Sequence, residues 1–153
     1  MKRSKMKELR IAAATAARRS FVLTVAWADE SSDAIDLSAP VAHVRGLAPL
    51  RKPGAFQHAR VGERGWSVVW PGDIDIGADT LWRMAREQAG EAMPRDAFRN
   101  WRARNVLTLE GAAEALGLSR RMIAYYDSGA RMIPKTVMLA TQGYNPSRRK
   151  RAA

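Results

Sequence analysis

The stretch Thr108-Leu109-Glu110-Gly111-Ala112-Ala113-Glu114-Ala115-Leu116-Gly117-Leu118-Ser119-Arg120-Arg121-Met122-Ile123-Ala124-Tyr125-Tyr126 decides how the C-terminal third of the chain folds. Thr108 and Ser119 are good helix N-caps, because a short hydroxyl side chain can accept from an otherwise unpaired amide of the first turn. They predict one helix through Leu116 and another through Ser128. Two helices that cross closely need a small residue where they meet, and Ala113 supplies it. Gly117, four residues on, tolerates the positive φ of a tight turn. Leu118 can fill the gap beneath that turn, while Ile123 and Tyr126 pack the second helix down. The spacing Ala113–Gly117–Ile123–Tyr126 is that of a helix-turn-helix.

A helical wheel sharpens the reading. At about 100° per residue from Arg120, the residues Ala124, Ser128, Arg121 and Tyr125 fall between about 40 and 140°. Met122, Tyr126 and Ile123 fall between about 200 and 300°. One face therefore seeks the core, and the other presents two Arg, a small Ala and a Tyr. Arg can bridge guanine O6 and N7, and Ala or Tyr can touch a thymine methyl or a phosphate. Such a helix suits a DNA major groove.

Outward from this pair, Pro94 can open a preceding helix with Phe98 and Trp101 on its apolar face, and Pro134 a following one that Gly143 closes. Arg95, Arg99, Arg102 and Arg104 cluster on the first, and Arg148-Arg149-Lys150-Arg151 forms a basic tail. Both suit phosphate contacts. The whole chain has 153 residues and a formal net charge of +11. That surplus is uneven. Residues 1–20 carry seven basic residues against Glu8, a net of +6, and residues 90–153 twelve against five, a net of +7. Between them, residues 21–89 carry seven basic and nine acidic residues, a net of −2. The expected organisation is a basic flexible arm (1–20), an α+β domain (21–89), a hinge (90–93), a helical DNA-binding domain (94–145) and a basic tail (146–153).

In the middle segment, 21–27 is rich in β-branched and aromatic residues, as strands are. Ala34 to Leu37 reads as its returning partner, Phe56 to Val61 as a third strand and Gly65 to Trp70 as a fourth. Asp79 can cap a helix over 80–89. Trp27, Phe56, Trp66, Trp70 and Trp82 are expected to build the core. The absence of Cys excludes disulfides, zinc fingers and thiol nucleophiles. His43 and His58, neither beside an acid pair, read as structural. Asp73, Asp75 and Asp79 lack calcium-loop spacing and a closing Glu, so they read as a turn and a cap. No phosphate loop, HExxH or GxSxG is present, so no enzyme, metal or cofactor is expected. The longest apolar run is strand-sized, and no membrane span is expected.

Residues 106–140, with Leu116-Gly117-Leu118-Ser119 and Tyr126-Asp127-Ser128-Gly129-Ala130-Arg131-Met132-Ile133-Pro134, resemble the Cro/lambda-repressor-like (XRE) helix-turn-helix family. Leu109 stands where that family usually has Gln. The Leu23-Thr24-Val25-x-Trp27 strand, the Phe56 strand, Val68-Val69-Trp70-Pro71 and Asp75-Ile76-Gly77-Ala78-Asp79-Thr80-Leu81 resemble the bacterial DUF2442 family, a small α+β fold. Some members of that family stand beside toxin-like partners. Together these resemblances imply an α+β N-terminal domain, a small antiparallel sheet plus a helix, followed by an all-α lambda-repressor-like domain. The expected function is that of a bacterial, cytoplasmic transcription regulator binding double-stranded DNA as a homodimer. Ser119, Arg120, Arg121, Ala124, Tyr125 and Arg131 would meet the DNA. The N-terminal domain would dimerise or take a protein partner or small effector. The alternative is an antitoxin-like protein whose N-terminal domain binds a protein and whose DNA binding serves autoregulation.

Overall fold

A computed structural model describes residues 9–147, so the first eight residues of the basic arm and the Arg148–Arg151 part of the tail lie outside the described residues. The chain divides into two units, one up to Gln88 and one from Ala89.

In the first unit, β1 (Ile11–Ala16), β2 (Val22–Trp27) and β3 (Ser32–Asp36) form an antiparallel sheet in that order. Alternation along β2 sends Leu23, Val25 and Trp27 inward. A short helix α1 (Ser38–His43) and a 3₁₀ segment (Arg45–Arg51) follow. They lead to a second antiparallel sheet of β4 (Arg60–Val61), β5 (Ser67–Trp70) and β6 (Ile74–Gly77). Helix α2 (Ala78–Gln88) packs on β3 and β6 through Leu81 and Ala85, which are buried. Asp33 ties these layers together. Its Oδ2 accepts from Trp27 Nε1 at 2.7 Å, and Oδ1 pairs with Arg86 of α2, whose guanidinium lies over Trp82.

Residues 11–16, expected within a flexible arm, are strand β1. Ile11 is buried and pairs with Trp27, but four of the other five positions are Ala, which is depleted in strands, so the segment carries little strand signal. The strand runs so close to Gly65 that a Cβ there would lie 2.5 Å from the Ile11 carbonyl oxygen. Gly65 also has φ +76°, so both space and backbone demand glycine. The expected third strand is mostly a 3₁₀ turn (Phe56–His58), with only Arg60 and Val61 in the sheet. Trp66, expected in the core, is 48% exposed beneath the Arg10 guanidinium, 4.8 Å from its ring centroid. Trp66 shares the parity of Val68 and Trp70 but is helical (φ −79°, ψ −15°) at the end of the turn before β5, so it falls outside their inward alternation.

The second unit holds β7 (Ala92–Met93), α3 (Arg95–Arg104), α4 (Leu109–Leu116), α5 (Arg120–Ser128), β8 (Ile133–Pro134) and α6 (Lys135–Gly143). β7 and β8 pair antiparallel, Ala92 opposite Pro134 and Met93 opposite Ile133. The molecule is thus a mixed α/β fold with three small antiparallel sheets among its described residues, its strands spread along the chain. This overturns the expected α+β domain followed by an all-α lambda-repressor-like domain. Residues 90–93 are not simply a hinge either: Ala92 and Met93 are buried in the ladder. Two-residue strands carry no periodicity, and Pro134 advertises a helix start, so the ladder leaves no trace in the sequence pattern.

The core of this unit is Phe98, Trp101, Ile123, Tyr126, Ile133 and Val137, with Phe98 and Ile123 fully buried. Phe98 meets Trp101 and Tyr126 at 5.7 and 6.0 Å between centroids. Between α3 and α4, Val106 sits at φ 52° and is 90% exposed. A β-branched residue in the left-handed region costs roughly 1–2 kcal/mol, and here no packing offsets it. Val106→Gly is expected to raise stability by about 1 kcal/mol, after allowing for glycine's greater unfolded-state freedom. Chemical denaturation checks this, and a loss of stability would refute it.

Candidate nucleic-acid interface

Helices α4 and α5 are set by their ends. Thr108 Oγ1 accepts from Gly111 N, and Ser119 Oγ from Met122 N. Gly117 between them has φ 67°, and Leu118 N donates to Ala113 O. Ala113, Ile123 and Tyr126 are buried, and Leu118 is partly so. Burial pushes the Tyr126 phenol above its ordinary pKa, against the opposing pull of Arg131, so it stays neutral at physiological pH.

The opposite face of α5 is open. Ser119, Arg120, Arg121 and Arg131 are exposed, and Ala124 and Tyr125 are half-buried. Three of these residues form one cluster. Arg121 Nε donates to the Tyr125 hydroxyl at 2.8 Å, with its guanidinium 5.6 Å from the ring centroid. Arg131 lies over the same ring at 4.9 Å. Gly129, left-handed at φ 80°, ends α5 and lets the chain fold back, so that Arg131 N donates to Tyr125 O. Two guanidinium groups therefore flank one aromatic ring that holds them in place while leaving donors unused.

Arg120 stands apart from this cluster. It reaches across to α4, where its Nε donates to Glu110 Oε1 at 2.5 Å. Glu110's own backbone N–H and the Arg120 guanidinium hold its carboxyl below the ordinary carboxylate value. The folded pKa is depressed, so the pair is intact above the usual carboxylate range and is lost as pH falls through the folded value. Both side chains are mostly exposed, and such pairs contribute little to stability, so a phosphate can displace the carboxylate. Glu110→Gln is expected to tighten binding to any duplex several-fold at neutral pH. The slope of log affinity against log salt should steepen by up to about 0.9. Weaker binding by the variant would contradict this assignment.

The arginines of α3 do other work than their spacing suggested. Arg95 Nε and Arg99 Nε both donate to the Asp127 carbonyl at 2.9 Å. Arg102 donates through Nε and Nη2 to Asp127 Oδ1 at 3.0 and 2.7 Å, and through Nη1 to Leu107 O. Three cations thus clamp the C-terminal end of α5, where the helix dipole also favours positive charge. They fix the helix that carries the cluster. Asp127 and Glu110 were missed as organising residues. The signal for the clamp was present in the spacing of 95, 99 and 102, which puts three Arg on one helix face and calls for a buried acceptor.

Elsewhere, His43 and His58 are both exposed. Asp73 occupies the left-handed turn between β5 and β6 (φ 57°), and Asp79 Oδ1 accepts from Thr80 N. Among the described residues no three His, Cys, Asp or Glu come together as a metal site, and no helix is long and apolar enough to cross a membrane.

No protein-family model matches the chain. No curated protein matches it. A solved structure does: the crystal structure of a candidate DNA-binding protein, NE0471 from Nitrosomonas europaea ATCC 19718, is 36% identical. The match covers 88% of this chain and 84% of that one, with a TM-score of 0.53.

Proposed function

The chain belongs to the same family as the Nitrosomonas europaea protein, and from that premise we propose that it binds double-stranded DNA with α5 in the major groove. The observation that carries this reading is the Arg121–Tyr125–Arg131 cluster on the open face of a helix whose other face is core. In this reading Arg121 meets a base edge, and Ser119 and Arg131 the flanking phosphates. Arg120 joins them once Glu110 is displaced, and Ala124 leaves room for a thymine methyl. The role is that of a bacterial transcription regulator, a binding protein and not an enzyme. It acts as a homodimer, because one such helix spans only a few base pairs and paired half-sites about 10 bp apart supply the rest.

Selection of bound duplexes from a random pool tests this. The expected product is one enriched motif arranged as an inverted repeat. A pool that remains random after repeated rounds contradicts sequence-specific binding, and a motif without internal symmetry contradicts the homodimer.

A further inference from the structure

The β1–β2 turn and the turn after Arg51 face each other across a cavity of about 210 Å³ on the first unit. Arg18 and Arg19 come from one turn, Arg51 and Lys52 from the other, and the buried Phe56 ring lies among them. Gln57 Nε2 donates to Arg18 O at 2.7 Å and so ties one turn to the other. Arg51 is held by Nε and Nη2 on the Val41 and Ala42 carbonyls, at 2.7 and 2.6 Å. That leaves three of its five N–H groups for another acceptor. Among the described residues none of these four cations pairs with a carboxylate. Like charges gathered around a concavity repel one another, and an anion seated there relieves the repulsion. The volume is below the roughly 300–1,000 Å³ of ordinary small-molecule pockets, which suits a single phosphate group better than a whole nucleotide.

We propose that this cavity is a second DNA contact, a site for one phosphodiester of the duplex backbone. It rests on the reading of the chain as a DNA-binding protein and extends it to a unit whose middle segment looked acidic in sequence. The two Arg counted with the arm are folded into the unit's surface at the end of β1, and they complete a basic patch with Arg51 and Lys52. A membrane headgroup is the poorer fit. Among the described residues the large apolar side chains that are exposed are Val44, Trp66, Val106, Met132 and Leu139, and none of them lines the cavity. Backbone contacts of this kind position a protein on DNA without reading sequence.

The test uses the full chain with Arg18→Ser, Arg19→Ser and Lys52→Ser together. All three residues are exposed, and Arg51 is spared because it anchors α1. An unchanged melting profile shows that the fold is kept. Affinity is measured against salt on a selected duplex and on a scrambled one. The expected result is a log–log slope shallower by about 0.9, equal on both duplexes, with the preference between them unchanged. An unchanged slope in a variant that still binds overturns the proposal and leaves α5 as the reader. Absence of duplex binding by the unaltered chain overturns both. Binding to phosphatidylserine vesicles that the triple variant loses, with no change on DNA, would assign the cavity to a membrane and overturn it too.

Discussion

Phe98→Ala is expected to destabilise the C-terminal unit by about 3–5 kcal/mol, the range for removing a fully buried aromatic ring. Phe98 lies where α3 meets α5, with its ring against both Trp101 and Tyr126. Truncation leaves a void between helices that the Arg–Asp127 clamp holds at fixed spacing, so collapse to fill it is limited. The edge-to-face contact with Tyr126 is lost as well, and Tyr126 is one of the residues that seat α5. A loss of this size is a large part of the stability of a small domain. Hydrogen exchange localises the effect: amides of α3 to α6 should lose protection while those of β2 and β3 keep theirs. Equal protection in wild type and variant would show that Phe98 does not hold the unit together.

The largest functional effect is expected from Arg121→Ala combined with Arg131→Ala. The base contact of Arg121 is worth roughly 1–3 kcal/mol and Arg131 adds a phosphate contact, so the pair should weaken binding to the selected duplex on the order of a hundredfold. The two share Tyr125 and are not independent. Each single substitution also loosens the ring that orients the other cation, so the measured losses should couple when the single and double variants are compared. Both side chains are exposed, and the fold should be retained. Binding to a scrambled duplex should fall less, because the phosphate contact of Arg131 is lost on both duplexes and the base contact of Arg121 only on the selected one. Equal losses on both duplexes would reduce Arg121 to a backbone contact like Arg131.

The helices of the second unit were legible because their ends carry local chemistry. Thr108 and Ser119 each bond an amide three residues on, and Gly117 and Gly129 sit at the left-handed positions only glycine adopts cheaply. The open face of α5 followed from counting residues around one helix. What stayed hidden depended on partners distant in the chain. The β7–β8 ladder is four residues long and joins positions about 40 apart, so no local pattern announces it. β1 is mostly alanine, and its strand character comes from pairing with β2 and from the space Gly65 leaves. Arg95, Arg99 and Arg102 looked like phosphate ligands because sequence shows a cation but not its acceptor, here Asp127. The N-terminal unit misled in the same way. Residues 21–89 are slightly negative, yet folding brings their Arg51 and Lys52 beside Arg18 and Arg19 at one cavity.

That α5 is the element meeting DNA is tested most directly by amide shift mapping of the isotope-labelled chain. Titration with the selected duplex should shift the amides of Ser119 through Tyr125, together with Arg131, in a saturable manner that rising salt reverses. A saturating duplex that leaves these amides unmoved, while shifts gather elsewhere, would contradict it.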